Sequence, residues 1–422
     1  MKRIIIIIFA AALLALQSCK LDFYPHNATS TENISEEDLE LLYTGLYCYS
    51  QYKPTFNGYF QNDMAGGDFR RNKASGYSDP ATWIKDCILV NSGWMSGPWT
   101  GYYAWLYQVN NFIKMAEAAE RTEKVSNMLG AAYFFRGLIY YNLTSKYRNV
   151  PLLREPTNDA VPNTPEGDLW AFVEEDLNKA IEMCPGFTSK YFVSNEAAKA
   201  LMARAKLAQN KKKEAAALAD EVIGSPLFSL DDFEKIFRNI ENNEEILTFS
   251  NLQEENGINF CNQYYLPGGQ YFPTTEVISL FLPADKRTSI TLMQDGSETC
   301  INKYPSKSST DPINILRLAE MYLISAEGNG ISGGGLQRLN DFRASRGLGA
   351  VSPAPTTDQQ LIDAVLDERR KEFLAEGFRW FDLVRTGKYT QKLGLDIKYT
   401  IFPIPQRELD LNSKLEQNLL WK

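Results

Sequence analysis

Apolar residues recur at helical spacing over most of this chain. From Ser35 to about Tyr52, Leu39, Leu42, Tyr43 and Leu46 fall on one face, and the acids Glu36, Glu37 and Asp38 suit a helix N-terminus. Helical periodicity returns at 100–121, 127–147, 167–183, 195–209 and 213–223. These segments predict pairs. In the clearest, Asn195 to Gln209 and Lys212 to Ile223 flank a turn at Asn210-Lys211, and Ala197, Leu201, Ala205 and Ala208 face Ala215, Ala216, Ala219 and Val222. Small residues at that spacing let two helices approach closely, in a unit of about tetratricopeptide-repeat length. Further pairs are expected between 36–52 and 100–121, between 127–147 and 167–183, and between 313–327 and 335–346. An alanine-rich bundle without repeat identity is the alternative.

Two stretches break the period. Residues 53–98 are rich in Gly, Asn, Asp and aromatics and read as a long ordered loop region. Residues 225–312 are irregular, with a β-like run at Glu245 to Phe249 and a loop at Tyr264-Tyr265-Leu266-Pro267-Gly268-Gly269. The expected fold is therefore mainly α, with tetratricopeptide-like helix pairs as a right-handed superhelical scaffold, a loop-rich half and a few short strands.

The N-terminus reads as an address. Lys2 and Arg3 precede an unbroken apolar run from Ile4 to Leu16, too short to span about 30 Å of hydrocarbon comfortably. It ends in Leu16-Gln17-Ser18-Cys19, which resembles a lipobox, although Gln17 departs from the usual small residue. Residues 1–18 are expected to be a lipoprotein signal peptide and Cys19 the lipidation site, with 19–422 a single domain in two parts, about 19–225 and 226–422.

Composition removes several function classes. With 422 residues, 44% of them apolar, the chain can bury a substantial core. The net charge of -8, with both signs mixed along the chain, offers no basic face for nucleic acid. The one histidine, His26, stands near the start of the mature chain, and the six cysteines include no C-x-x-C pair. A His-dependent triad, a multi-His metal site and a complete disulfide framework are not expected, nor is any cofactor.

Several ordered motifs resemble the SusD/RagB family. Cys19-Lys20-Leu21-Asp22-Phe23-Tyr24-Pro25 is similar to its mature start, and Trp99, Tyr103, Leu106 and Asn110 keep the spacing of a family helix. Tyr147 to Leu152 and Asp176 to Ala180 resemble a turn and the helix after it. More specific are Leu316 to Leu323, Leu339 to Leu348, Glu368 to Phe373, Glu376 to Arg385, Phe402-Pro403-Ile404-Pro405 and Glu416-Gln417-Asn418. The glycine-rich joint from Gly328 to Gly335 and Leu419-Leu420 in place of Pro-Gly depart from the pattern, and the chain is short for the family.

The resemblance implies a cell-surface lipoprotein of the outer membrane that binds a nutrient glycan and delivers it to a SusC-like TonB-dependent transporter, without catalysis. A peptide-binding relative, a surface glycosidase or a scaffold for protein partners are the alternatives. The carboxylates Glu368, Glu372, Glu376 and Asp382 could be mistaken for a glycosidase pair. Their helical spacing to arginines points instead to an ion network, with Asp382 placed to bond Arg379 and Arg385, fastening the last helices to the repeats.

Sugars present apolar C–H faces ringed by hydroxyls, so a binding surface needs aromatic platforms beside amides and charged groups. Two regions offer both, and the resemblance implies an aromatic arc made from them. One holds Tyr59, Asn62, Asp68, Arg70, Arg71, Trp83, Asn91 and Trp94, and the other Tyr264, Tyr265 and Tyr271. Trp94, which follows Asn91-Ser92-Gly93, is the expected stacking residue, whereas Trp99 belongs to the helix pattern and is expected in the core.

Overall fold

A computed structural model describes residues 34–51, 53–71, 79–252, 260–265 and 270–422. The signal peptide, Cys19 and the Leu266 to Gly269 part of the irregular loop lie outside them.

Helices α1 (Glu36–Gln51), α2 (Lys53–Ala65), α3 (Pro80–Cys87), α4 (Gly93–Ala118), α5 (Glu123–Tyr147) and α6 (Glu166–Met183) are followed by α7 (Asn195–Ala208) and α8 (Lys212–Ile223). After the irregular segment come α9 (Leu318–Asn329), α10 (Gly335–Ser345), α11 (Asp358–Glu372) and α12 (Arg379–Arg385). From α4 to α8 each helix packs on the next, and α8 then packs on α9 and α9 on α10 and α11, so the ladder of helices continues across the irregular segment. Of the alanines expected between α7 and α8, Ala197, Ala205, Ala215, Ala216 and Ala219 are buried and Ala208 is half-buried. At Gly328 a Cβ would stand 2.3 Å from the Lys212 carbonyl oxygen and 2.7 Å from Ala216 Cβ, so α8 and α9 touch only because that position lacks a side chain.

Two expectations about element boundaries are corrected. Residues 53–98 carry α2, α3 and the start of α4 rather than a long loop. On α2 the apolar Phe60, Met64 and Ala65 and the polar Gln61, Asn62 and Asp63 are all buried, and a helix covered all round shows no amphipathic stripe. Its neighbours are capped locally. Asp79 accepts from the Ala81 and Thr82 amides ahead of Pro80, and Ser92 Oγ accepts from the Trp94 amide. The expected helix over 313–327 is split, with Ile313–Arg317 a strand and the helix beginning at Leu318.

That strand, β8, pairs antiparallel with β4 (Glu245–Phe249), Phe249 opposite Ile313 and Glu245 opposite Arg317. Three further two-stranded ladders join β1 (Phe69–Arg71) to β5 (Tyr271–Pro273), β2 (Val150–Pro151) to β3 (Asn163–Thr164), and β6 (Leu292–Asp295) to β7 (Glu298–Ile301). The β1–β5 pair sets Arg71 opposite Tyr271 and so draws the two aperiodic stretches together.

The charged C-terminal motif is a buried ion network. Glu372 on α11 accepts from Arg346 at 2.9 Å, Arg317 at 2.8 Å and Arg287 at 3.2 Å. Asp382 on α12 accepts from Arg369 and Arg385 at 2.8 Å each, and Arg385 also bonds Glu327 on α9 at 2.8 Å. Arg379 departs from expectation. Asp382 is taken by Arg369 and Arg385, and Arg379 turns toward Asp68, 4.0 Å away.

Candidate functional site

The Ser92 cap starts α4 so that Trp94 stands in its first turn, half-buried. The Trp94 ring meets Trp83 edge-on at 5.9 Å and Phe60 at 6.1 Å between centroids, which orients its plane. Its carbonyl accepts from Gln61 Nε2 at 2.6 Å, tying α4 to α2. Beside it opens a hollow of about 430 Å³ lined by Gln61, Gly93, Trp94, Gly97 and Pro98. Gln61 is buried, yet its Oε1 has no hydrogen-bond partner among the described residues.

Arg71 reaches the same corner from β1. Its guanidinium lies 5.8 Å from the Trp94 ring centroid and 5.7 Å from that of Tyr271. Nη2 donates to Gln270 Oε1 at 2.8 Å, while the buried Nε has no acceptor among the described residues. Tyr271 stacks on Phe60 at 5.1 Å, which closes the aromatic group behind Trp94. Asn91 is exposed in the turn just before α4.

The remaining expected residues serve other roles. Trp83, Tyr264 and Tyr271 are fully buried and offer no stacking face to solvent, a correction to their reading as surface platforms. The cause is the packing of α2, α3 and the β1–β5 pair over them. Tyr264 points its hydroxyl at Asp63, 3.4 Å away. Asp68 is also interior, paired with Arg370 at 2.7 Å. Arg70 is taken by Glu298 and lies 5.3 Å from the Phe272 ring centroid. Tyr59 donates to the Asn314 carbonyl and stacks on Phe260 at 5.5 Å. With the buried Asn62 it lines a separate interior cavity of about 70 Å³. Tyr265 is half-buried at the end of the helix Phe260–Tyr264.

Thus Trp94 stands at the hollow, with Asn91 in the turn before it and Tyr271 behind its platform. Gln61 and Gln270 were not expected, because their places depend on the α2–α4 contact and the β1–β5 register. The four carboxylates of the C-terminal motif are all held by cations, and none of them lines this hollow.

Two family models match the chain in succession. The one described as "Starch-binding associating with outer membrane" covers residues 21–207, and the one described as "SusD family" covers 298–421. SusD-like protein P38 of Formosa agariphila is 24% identical, with 96% of each chain covered. Among solved structures, a laminarin binding SusD-like protein superposes with a TM-score of 0.78 at 24% identity, covering 91% of this chain and 99% of its own. A SusD superfamily protein from Bacteroides vulgatus gives 0.81 at 20%, covering 93% and 100%. Surface glycan-binding protein A from Bacteroides uniformis gives 0.77 at 20%, covering 92% and 100%. With both ends of the sequence matched in order, and a shared mainly helical fold running nearly its full length, this chain belongs to the SusD/RagB family of outer-membrane proteins.

Proposed function

We propose that this protein binds a nutrient glycan at the cell surface through the Trp94 hollow and passes it, chemically unchanged, to a TonB-dependent barrel in the outer membrane. Acylated Cys19 would tether it there. A single acyl chain holds a protein only marginally and several hold it stably, which fits multiple acylation. The names of its relatives, one laminarin binding and one surface glycan-binding, support a carbohydrate ligand.

The observation that carries this reading is the half-buried indole of Trp94 at the edge of an open hollow, flanked by the Gln61 amide and the Arg71 guanidinium. An indole face packs against the C–H face of a pyranose, while amide and guanidinium groups read the hydroxyls around it. Recognition of that kind needs neither a nucleophile nor a proton shuttle.

Trp94→Ala is expected to abolish measurable glycan binding by affinity electrophoresis or calorimetry, a loss of about 2 kcal/mol or more for a central aromatic anchor. The half-buried ring also packs on Trp83 and Phe60, so some fall in melting temperature is expected, but the protein should remain folded. Full binding by a folded Trp94→Ala protein removes Trp94 from the site. Failure of the chain to co-purify with a β-barrel transporter from membranes would count against the delivery step.

A further inference from the structure

We infer that the surface at Trp94 selects a glycan carrying anionic groups, with Arg71, which stands beside the Trp94 ring and not in the wall of the hollow, as the residue that reads them. This rests on the glycan-binding role proposed above and adds the ligand's chemical class.

Arg71 is a cation placed beside the stacking aromatic, without a counter-ion among the described residues. Among the described residues no carboxylate lies within ion-pair distance of it, and its one hydrogen bond goes to the neutral Gln270 amide. The next arginine along the strand, Arg70, is neutralised by Glu298, and Arg370 nearby is held by Asp68 and Glu276. A guanidinium has five donors in a planar fork; Arg71 is half-buried, Nη2 is used on Gln270, and Nη1 has no acceptor among the described residues. Held between the Trp94 and Tyr271 rings, it is fixed in place before any ligand arrives. A fixed, incompletely bonded guanidinium matches a carboxylate or a sulfate ester, both of which accept two parallel N–H bonds.

Two further features agree. The wall of the hollow is the first turns of α4, at Gly93, Trp94 and Gly97, where the positive end of a 26-residue helix favours negative charge. Gln61 lines the same hollow, and its buried carbonyl oxygen has no hydrogen-bond partner among the described residues, so a small side-chain shift would offer it to a sugar hydroxyl. Anion, aromatic face and hydroxyl acceptor together describe an acidic sugar, a uronate or a sulfated hexose, rather than a neutral one. The net charge of -8 opposes a polyanion at long range, so salt alters repulsion and local attraction in opposite directions. Substitution of Arg71 is therefore a cleaner test than ionic strength.

The full chain, solubilised in detergent, would be titrated with polygalacturonate (carboxylates), dextran sulfate (sulfate esters), and laminarin and dextran as neutral glycans. The expected result is tighter binding of one acidic glycan than of either neutral one, the carboxylate and sulfate arms telling which group is read. Arg71→Gln should weaken that binding at least tenfold and any neutral binding by a much smaller factor. Arg71→Lys, which keeps the charge and loses the fork, should fall between, and it decides the matter if Arg71→Gln melts early. Acidic binding unaffected by both substitutions overturns the inference, as does binding confined to neutral glycans, although Trp94 then keeps its proposed role. No binding to any glycan overturns both readings.

Discussion

Lys146 on α5 is fully buried, and its ammonium has no hydrogen-bond partner among the described residues. It faces the rings of Tyr102 at 5.5 Å and Phe402 at 5.8 Å. Burial without a counter-charge pushes its pKa down to about 7, against 10.5 for a free lysine. The native state thus binds fewer protons than the unfolded state between pH 7 and 10.5, and stability should rise with pH across that window. A shift of that size corresponds to a penalty of about 5 kcal/mol at pH 7 and below. Lys146→Met should raise the melting temperature at pH 7, and its advantage should shrink toward pH 10. Equal melting of the two proteins at pH 7 would show that Lys146 finds a partner in solution. The resemblance to a family helix set Trp99 apart from Trp94, five positions earlier, and Trp99 lies in the core while Trp94 is half-buried. The sequence could not separate Trp83, Tyr264 and Tyr271 from surface aromatics. Their burial depends on the pairing of β1 with β5, two segments with no local sign of each other.

Among elements, the motif spanning α11 and α12 was legible as structural, because opposite charges three residues apart on a helix can meet, as Asp382 and Arg385 do, although Arg379 at the same spacing does not. Its long-range partners were not. Arg317 arrives from the end of β8, Arg346 from the turn after α10, and Arg287 from the irregular half. Helix α2 was missed for the opposite reason, since covering every side of a helix erases the pattern that reveals one. Asp382→Ala would leave Arg369 and Arg385 buried with one carboxylate, Glu327, between them. Removing one member of a buried pair costs about 3–5 kcal/mol, so a clear fall in melting temperature is expected. Neighbouring arginines hold the carboxyls of Glu372, Glu327, Glu368 and Asp382 below their usual range despite burial. A depressed folded pKa contributes stability that is present above the unfolded value and lost as pH falls through the folded one. Acid unfolding below about pH 4 should therefore be shallower in Asp382→Ala. Unchanged melting would mean that the network is dispensable to the fold.

At the scale of the whole molecule, two family models meet the chain on either side of a gap, which invites a description as two domains. The packing argues for one. Helix α8 closes the first half by lying on α9 of the second, with Asp220 accepting from Ser325 at 2.6 Å and Asn329 at 2.9 Å. Arg204 on α7 bonds Glu320 on α9 at 2.8 Å. Cutting near residue 225 would strip α9 of its partner helix and would uncover the close approach at Gly328. Each piece would expose apolar surface that the other buries, and Arg204 and Glu320 would be left as unpaired interior charges. The 19–225 and 226–422 pieces should accordingly fail to fold apart. The full chain should melt in one calorimetric transition whose measured enthalpy equals the van't Hoff value. Two resolved transitions, or a stable 226–422 fragment, would instead make the C-terminal part a unit that merely docks on the helices before it.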